Sequence, residues 1–177
     1  SYVSALVKGT PGVKINAGAI FPHDVIKNAE RDVSTRDVID AQWAALPNFM
    51  GEGHKALAMV DVSGSMTCSV GGLSGTTCMH VAIALGLYVS DKNSGPFKDL
   101  FLTFSTSPKF VHLTGKITDK IVQMSRANWN MTTNLEGAFD AILDHAIRNE
   151  VSAEDMPSTL LILSDMQFDV CVRGTDA

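Results

Sequence analysis

Alternate positions in Asp61-Val62-Ser63-Gly64-Ser65 carry a carboxylate and two hydroxyls, where the apolar run from Ala56 to Val62 gives out. A strand running into a turn would account for Asp, Ser and Gly there, since all three favour local backbone geometry of that kind. A second chemistry is open to the same residues. A hard cation such as Mg²⁺ takes about six oxygens in near-octahedral geometry and keeps several waters. Ser63, Ser65 and Thr133 can supply neutral hydroxyl oxygens, and Asp61 and Asp165 can supply charge, directly or through bound water. Such a shell only partly neutralises the ion, which stays electrophilic and able to accept a carboxylate from a partner. Thr133 equally suits capping the helix that follows it. Asp165 follows a fully apolar strand, where a buried acid is costly without a partner or a cation.

Positioning five residues so far apart needs elements that end at one place. From residue 55 the chain alternates strand and helix. Ala56 to Val62 has the character of a strand buried on both faces of a parallel sheet. A loop with Gly71, Gly72 and Gly75 leads into Thr77 to Ser90, apolar almost all round and so predicted as a central buried helix. Leu100 to Phe104 and Phe110 to Leu113 read as an antiparallel pair, and Ile117 to Met124 as a short amphipathic helix. Leu135, Ala138, Phe139, Ile142, Leu143 and Ala146 recur at the spacing of one buried helical face. Thr159 to Leu163 is a further buried strand, ending in Ser164-Asp165. This order predicts a doubly wound, mostly parallel α/β sheet with helices on both faces. In such sheets the ligand crevice lies beyond the carboxyl ends of the strands, which is where Asp61, Asp165 and the loop Asn130 to Asn134 would meet.

Residues 1–50 read differently, as a helical extension or the end of an upstream helical part, with residues 51–177 forming the α/β domain. One short helix follows Pro22 through Val25, Ile26 and Ala29. A second, capped by Ser34 or Thr35, carries Val38, Ile39, Trp43, Ala44 and Leu46 and ends before Pro47.

The three pieces Asp61-Val62-Ser63-Gly64-Ser65, Thr132-Thr133-Asn134-Leu135 opening a helix, and Leu163-Ser164-Asp165 closing a strand resemble the metal-ion-dependent adhesion site (MIDAS) of von Willebrand factor A (vWA) domains. The resemblance covers roughly residues 55–169. The first motif alone is moderately specific; all three in order, each at the right end of its element, are much more so. The stretches Gly95-Pro96-Phe97, Leu102-Thr103-Phe104-Ser105 and Ser164 to Asp169 look more narrowly like an uncharacterised intracellular branch of plants, fungi and large viruses, similar to the Ro/TROVE ribonucleoproteins.

The resemblance implies that Ser63 and Ser65 are direct hydroxyl ligands, that Asp61 and Asp165 act directly or through water, and that Thr133 changes its engagement when a partner binds. It implies Mg²⁺, with Mn²⁺ or Ca²⁺ as substitutes, and a protein partner that supplies Asp or Glu to the ion. The domain would then be an adhesion or assembly module and not an enzyme. An A domain normally continues for two more strands, whereas about a dozen residues follow Asp165 here. A sheet missing its last strands would leave an exposed edge for another segment or chain to complete.

Composition narrows the alternatives. A hydrophobic content of 45% is enough for a sizeable core and argues against disorder. The net charge of −5 gives no general attraction to nucleic acid or anionic membranes. RNA association is implied only by the Ro-like resemblance. A metal-dependent phosphohydrolase with Asp61 as nucleophile would normally carry a second acid two residues on, where Ser63 stands. Cys68, Cys78 and Cys171 form no Cys-x-x-Cys pair and fit reduced thiols in a cytoplasm. The five histidines show no ligand spacing, His80 and His145 reading as structural helix residues, and Met66, Met79 and Met131 read as packing near the site.

Overall fold

An unbroken apolar stretch needs cover on both faces, and Ala56–Val60 (β1) receives it: all five of its residues are buried. A computed structural model describes residues 20–31, 35–51, 53–103, 105–127 and 134–165. In it β1 lies between Leu100–Thr103 (β2) and Thr159–Leu163 (β4), parallel to both, and Phe110–His112 (β3) pairs antiparallel with β2, giving the order β3-β2-β1-β4. The register Ala56↔Thr159 to Val60↔Leu163 brings the carboxyl ends of β1 and β4 level. The described chain is therefore an α/β fold on a mixed four-stranded sheet.

Alternation along the strands divides the core into two layers. Ala56, Ala58, Val60 and Phe101 face helices Pro22–Arg31 (α1), Arg36–Ala44 (α2), Cys78–Lys92 (α3) and Ile117–Arg126 (α4), which contribute Val25, Ile26, Ile39, Leu87 and Met124 to one cluster. Leu57, Met59, Leu100 and Leu102 face the opposite way, toward Ala138 and Ile142 of Leu135–Arg148 (α5). Each large side chain fully withdrawn from water stabilises the fold by roughly 1.5–3 kcal/mol relative to exposure, and Leu57, Met59, Phe101 and Leu102 are all at 0% exposure. Gly86 sets how close α3 comes to the sheet, because a Cβ there would run into Val60 Cγ2.

Residues 20–50 are not peripheral to this core. Val25, Ile26, Ile39, Trp43 and Leu46 belong to the same cluster as β1 and α3. Trp43 Nε1–H donates to Asp91 Oδ2 at 3.1 Å, and Asp91 also receives Lys120 Nζ at 2.9 Å. Lys120 in turn bonds Asp99 at 2.6 Å. Burial alone would push the Asp91 carboxyl up, but the hydrogen bond and charge of Lys120 hold it below its ordinary value. Burial pulls the Lys120 ammonium down, and the two carboxylates more than reverse that and raise it.

Three sequence expectations are corrected. Phe139 and Leu143 do not share the buried face of α5; they stand 55% and 54% exposed, and the contact is made by Ala138, Ile142 and Ala146. A helix that lies close over a sheet buries a narrow stripe at i, i+4, i+8, and small side chains permit the close approach. β4 is partly exposed along its whole length instead of covered on both faces, because among the described residues it is an edge strand. Ala44, at the end of α2, is exposed, since the chain leaves the helix there toward Pro47.

Candidate functional site

The level ends of β1 and β4 bring the acidic motif and the Ser164-Asp165 pair together. Asp61 continues the ladder by one rung, its N–H donating to Leu163 O at 2.8 Å. This fixes the backbone and leaves the side chain 4% exposed at the rim of the sheet. Its Oδ1 accepts the Ser63 N–H at 2.8 Å, and its Oδ2 accepts the Ser164 hydroxyl at 2.9 Å. Both bonds come from neutral donors. Among the described residues no Lys, Arg or His pairs with Asp61, whereas Asp91 and Asp99 both pair with the Lys120 ammonium.

Beyond Ser63 the chain turns through a 3-10 segment, Gly64–Thr67, closed by Met66 N–H to Ser63 O at 3.0 Å and by Thr67 Oγ1–H to Gly64 O at 2.6 Å. Met66 is buried and anchors the turn from below, as packing near the site requires. The turn leaves Ser63 Oγ and Ser65 Oγ only 2.9 Å apart, with Ser65 exposed. Two oxygens at adjacent corners of a Mg²⁺ octahedron, each about 2.1 Å from the ion, are separated by about 3.0 Å. The serine pair thus has the spacing of one octahedral edge and opens to solvent.

Asp165 follows Ser164 directly and lies close enough to Cys78 for its charge to help raise that thiol, after the larger effects of the Cys68 thiol hydrogen bond and burial. Thr133 lies outside the described residues, as do Met131 and Asp169. Its neighbour Asn134 is described, and it is tied to the same rim. Asn134 N–H donates to Ser105 O at 3.3 Å and its Nδ2 donates to Thr106 O at 3.2 Å, in the loop that leaves β2, while its Oδ1 caps α5 by accepting the Gly137 N–H at 2.9 Å. β2 runs parallel to β1, so this loop leaves the same edge of the sheet as Asp61.

Among the described residues no group of three or more His, Cys, Asp or Glu side chains converges on one point. The shell anticipated from the sequence has two acids and three hydroxyls, so it is not a cluster of that kind. The donor set present, one buried carboxylate held by neutral donors beside two hydroxyls at octahedral spacing, fits a hard, partly hydrated cation and not a soft one.

The comparison with known proteins gives a family. Residues 55–176 match the family described as Domain of unknown function (DUF7788). The chain belongs to that family. It is also 33% identical over 174 residues to the Uncharacterized protein L728 of Acanthamoeba polyphaga mimivirus, across 96% of this chain and 29% of that protein. The chain thus spans less than a third of the length of this viral relative. No solved structure matches the present chain. The matched region of this DUF7788 member runs from just before β1 to beyond β4, so it contains every element that shapes the rim.

One residue of the rim was not singled out from the sequence as a contact: Ser164, whose hydroxyl bonds Asp61 across the β1–β4 boundary. The signal available was its place one residue past a strand predicted to end beside β1. His80 and His145 have the structural parts expected of them. Thr77 N–H donates to His80 Nδ1 at 2.9 Å, which leaves Nε2–H to donate to Glu30 at 2.8 Å, while His145 lies against the rings of Phe97 and Phe110. Burial in that aromatic pocket pushes the His145 imidazole below its ordinary value.

Proposed function

We propose that this domain is a divalent-cation-dependent protein-binding module of the vWA type, in which Ser63, Ser65, Asp61, Asp165 and Thr133 hold Mg²⁺ and a carboxylate of a partner completes the shell. The observation that carries the reading is the 2.9 Å Ser63–Ser65 oxygen pair beside a buried carboxylate that has only neutral hydrogen-bond donors. A buried carboxylate without a cationic side chain gains most from a metal ion. Further support comes from Asn134, whose bonds to the β2 loop keep the start of α5 at this rim. A parallel β1 with strands on both sides and helices on both faces is compatible with a doubly wound architecture.

Binding is favoured over hydrolysis by the residue two positions after Asp61. A phosphohydrolase with Asp61 as nucleophile would carry its general acid there, and this chain has Ser63. The test is thermal unfolding of the chain in chelator and in Mg²⁺ or Mn²⁺. Saturation at about a hundredfold above Kd adds about 2.7 kcal/mol, which is roughly 5–10 °C for a chain of this size. Asp61→Asn should abolish that rise while the protein still unfolds cooperatively. A folded wild-type chain whose melting is indifferent to both ions refutes the reading.

A further inference from the structure

Beside the rim, and independent of any cation, two thiols face one another. Residues 68–70 and 76–78 run antiparallel: Val70 N–H donates to Thr76 O at 2.9 Å, Cys78 N–H donates to Cys68 O at 3.0 Å, and Ser69 bridges Thr77. This small ladder places Cys68 directly opposite Cys78, with Sγ to Sγ at 3.2 Å. Opposed residues of such a pair have Cα atoms about 5.5 Å apart, near the most common Cα separation in disulfides. The ladder is braced from outside. Lys27 Nζ reaches Ser74 O at 2.5 Å and Thr76 Oγ1 at 3.4 Å, and the Thr77–His80–Glu30 chain ties the start of α3 to α1. Both sulfurs are free thiols, Cys68 exposed and Cys78 half-buried.

We propose that Cys68 and Cys78 form a redox-active dithiol that is oxidised to an intramolecular disulfide by a low-molecular-weight disulfide. Access sets the order of events. The exposed Cys68 thiolate attacks one sulfur of the small disulfide, forming a mixed disulfide and releasing one small thiol. The Cys78 thiolate then attacks Cys68 Sγ, displacing the second small thiol and closing the bond. Two electrons pass from the cysteine pair to the small disulfide, and the two protons lost by the cysteines appear on the two small thiols. The product closes a ring over the glycine-containing loop 69–77 and fastens the first turn of α3 to the segment that follows Ser65.

The experiment treats the full chain with oxidised glutathione in chelator and, separately, in Mg²⁺, then quenches it with acid and measures intact mass and alkylated peptides. The expected result in both solutions is loss of two hydrogens, a Cys68–Cys78 cross-linked peptide, and recovery of both thiols with dithiothreitol. Cys78→Ser should instead retain one glutathione on Cys68, and Cys68→Ser should react several-fold more slowly than wild type. Cys171→Ser should cyclise like wild type. Stable glutathionylation of Cys68 in the wild-type chain, independent alkylation of both thiols after oxidant treatment, or a cross-link through Cys171 overturns the proposal. Because the linkage is expected without metal, its failure and failure of cation binding are separate results.

Discussion

Two carboxylate-bearing regions lie near opposite ends of α3 and are built to opposite rules. Beneath α2 and α4, Asp91 and Asp99 converge on the buried ammonium of Lys120, and Trp43 closes the remaining side of Asp91. At the sheet rim, Asp61 is more deeply buried than either and is held by a backbone N–H and a serine hydroxyl. The first cluster carries its own cation; the second does not among the described residues. Charge met by a cationic side chain inside the fold is architecture. Charge held only by neutral dipoles gains most from an added cation, and this contrast is the physical basis for the proposal that the rim takes one.

The sharpest way to break the contrast is to remove the internal cation. Lys120→Ala leaves Asp99 without its ammonium and Asp91 with only the more distant Lys92, at 3.9 Å, and should cost about 3 kcal/mol in urea unfolding; the partial exposure of Asp91 and Asp99 lets water recover some of the loss. A loss below about 0.5 kcal/mol would mean that Lys120 is not the counter-charge described. Next in size is the rim. Ser63→Ala with Ser65→Ala should remove most of the stabilisation of about 2.7 kcal/mol expected near saturating Mg²⁺, while unfolding in chelator moves by less than about 1 kcal/mol, since only the weak serine–serine bond is lost. Retained cation response in that double variant would dissolve the comparison from the other side.

The pH dependence sharpens it further. The folded Asp91 carboxyl lies below its ordinary 3.8, so its contribution to stability is complete above that value and is lost as pH falls through the lower folded one. Lys120 lies above its ordinary 10.5, so its contribution is complete below 10.5 and is lost as pH rises through the higher folded value. Stability measured by denaturant titration should therefore decline at both extremes, and Lys120→Ala should flatten both limbs. Unchanged limbs in that variant would assign the pH dependence to other groups. The smallest effect concerns the exposed face of α5. Phe139→Ser should change stability by no more than about 0.5 kcal/mol, because the ring is 55% exposed. A loss of several kcal/mol would restore the buried face that the periodicity of the sequence predicts.

What could be read from the chain alone follows the range over which each signal acts. β1 and α3 were legible because five successive apolar residues and a helix apolar nearly all round leave few alternatives to central positions. The antiparallel β2–β3 pair was legible from its short connection. The face of α5 was not, because a stripe of Leu135, Ala138, Phe139, Ile142, Leu143 and Ala146 is wide enough for several orientations, and the choice depends on the surface of β1 and β2 and not on the helix itself. Of the rim, Asp61, Ser63 and Ser65 were recognisable as a spacing, and their convergence with Ser164 needed the β1–β4 register. The Lys120 cluster and the opposed cysteines gave no warning. Asp91 at the end of α3, Asp99 just before β2 and Lys120 of α4 meet only once those three elements have packed, and Cys68 and Cys78 are joined only by the turn between them.

One consequence follows from the single rung that Asp61 adds beyond β1. Its amide is bonded to Leu163 and its carboxylate to Ser164, so the same residue grips the last two positions before Asp165 by main chain and side chain at once. Pulling the end of β4 away from β1 would therefore break both of these bonds together and strip the carboxylate of one of its two donors.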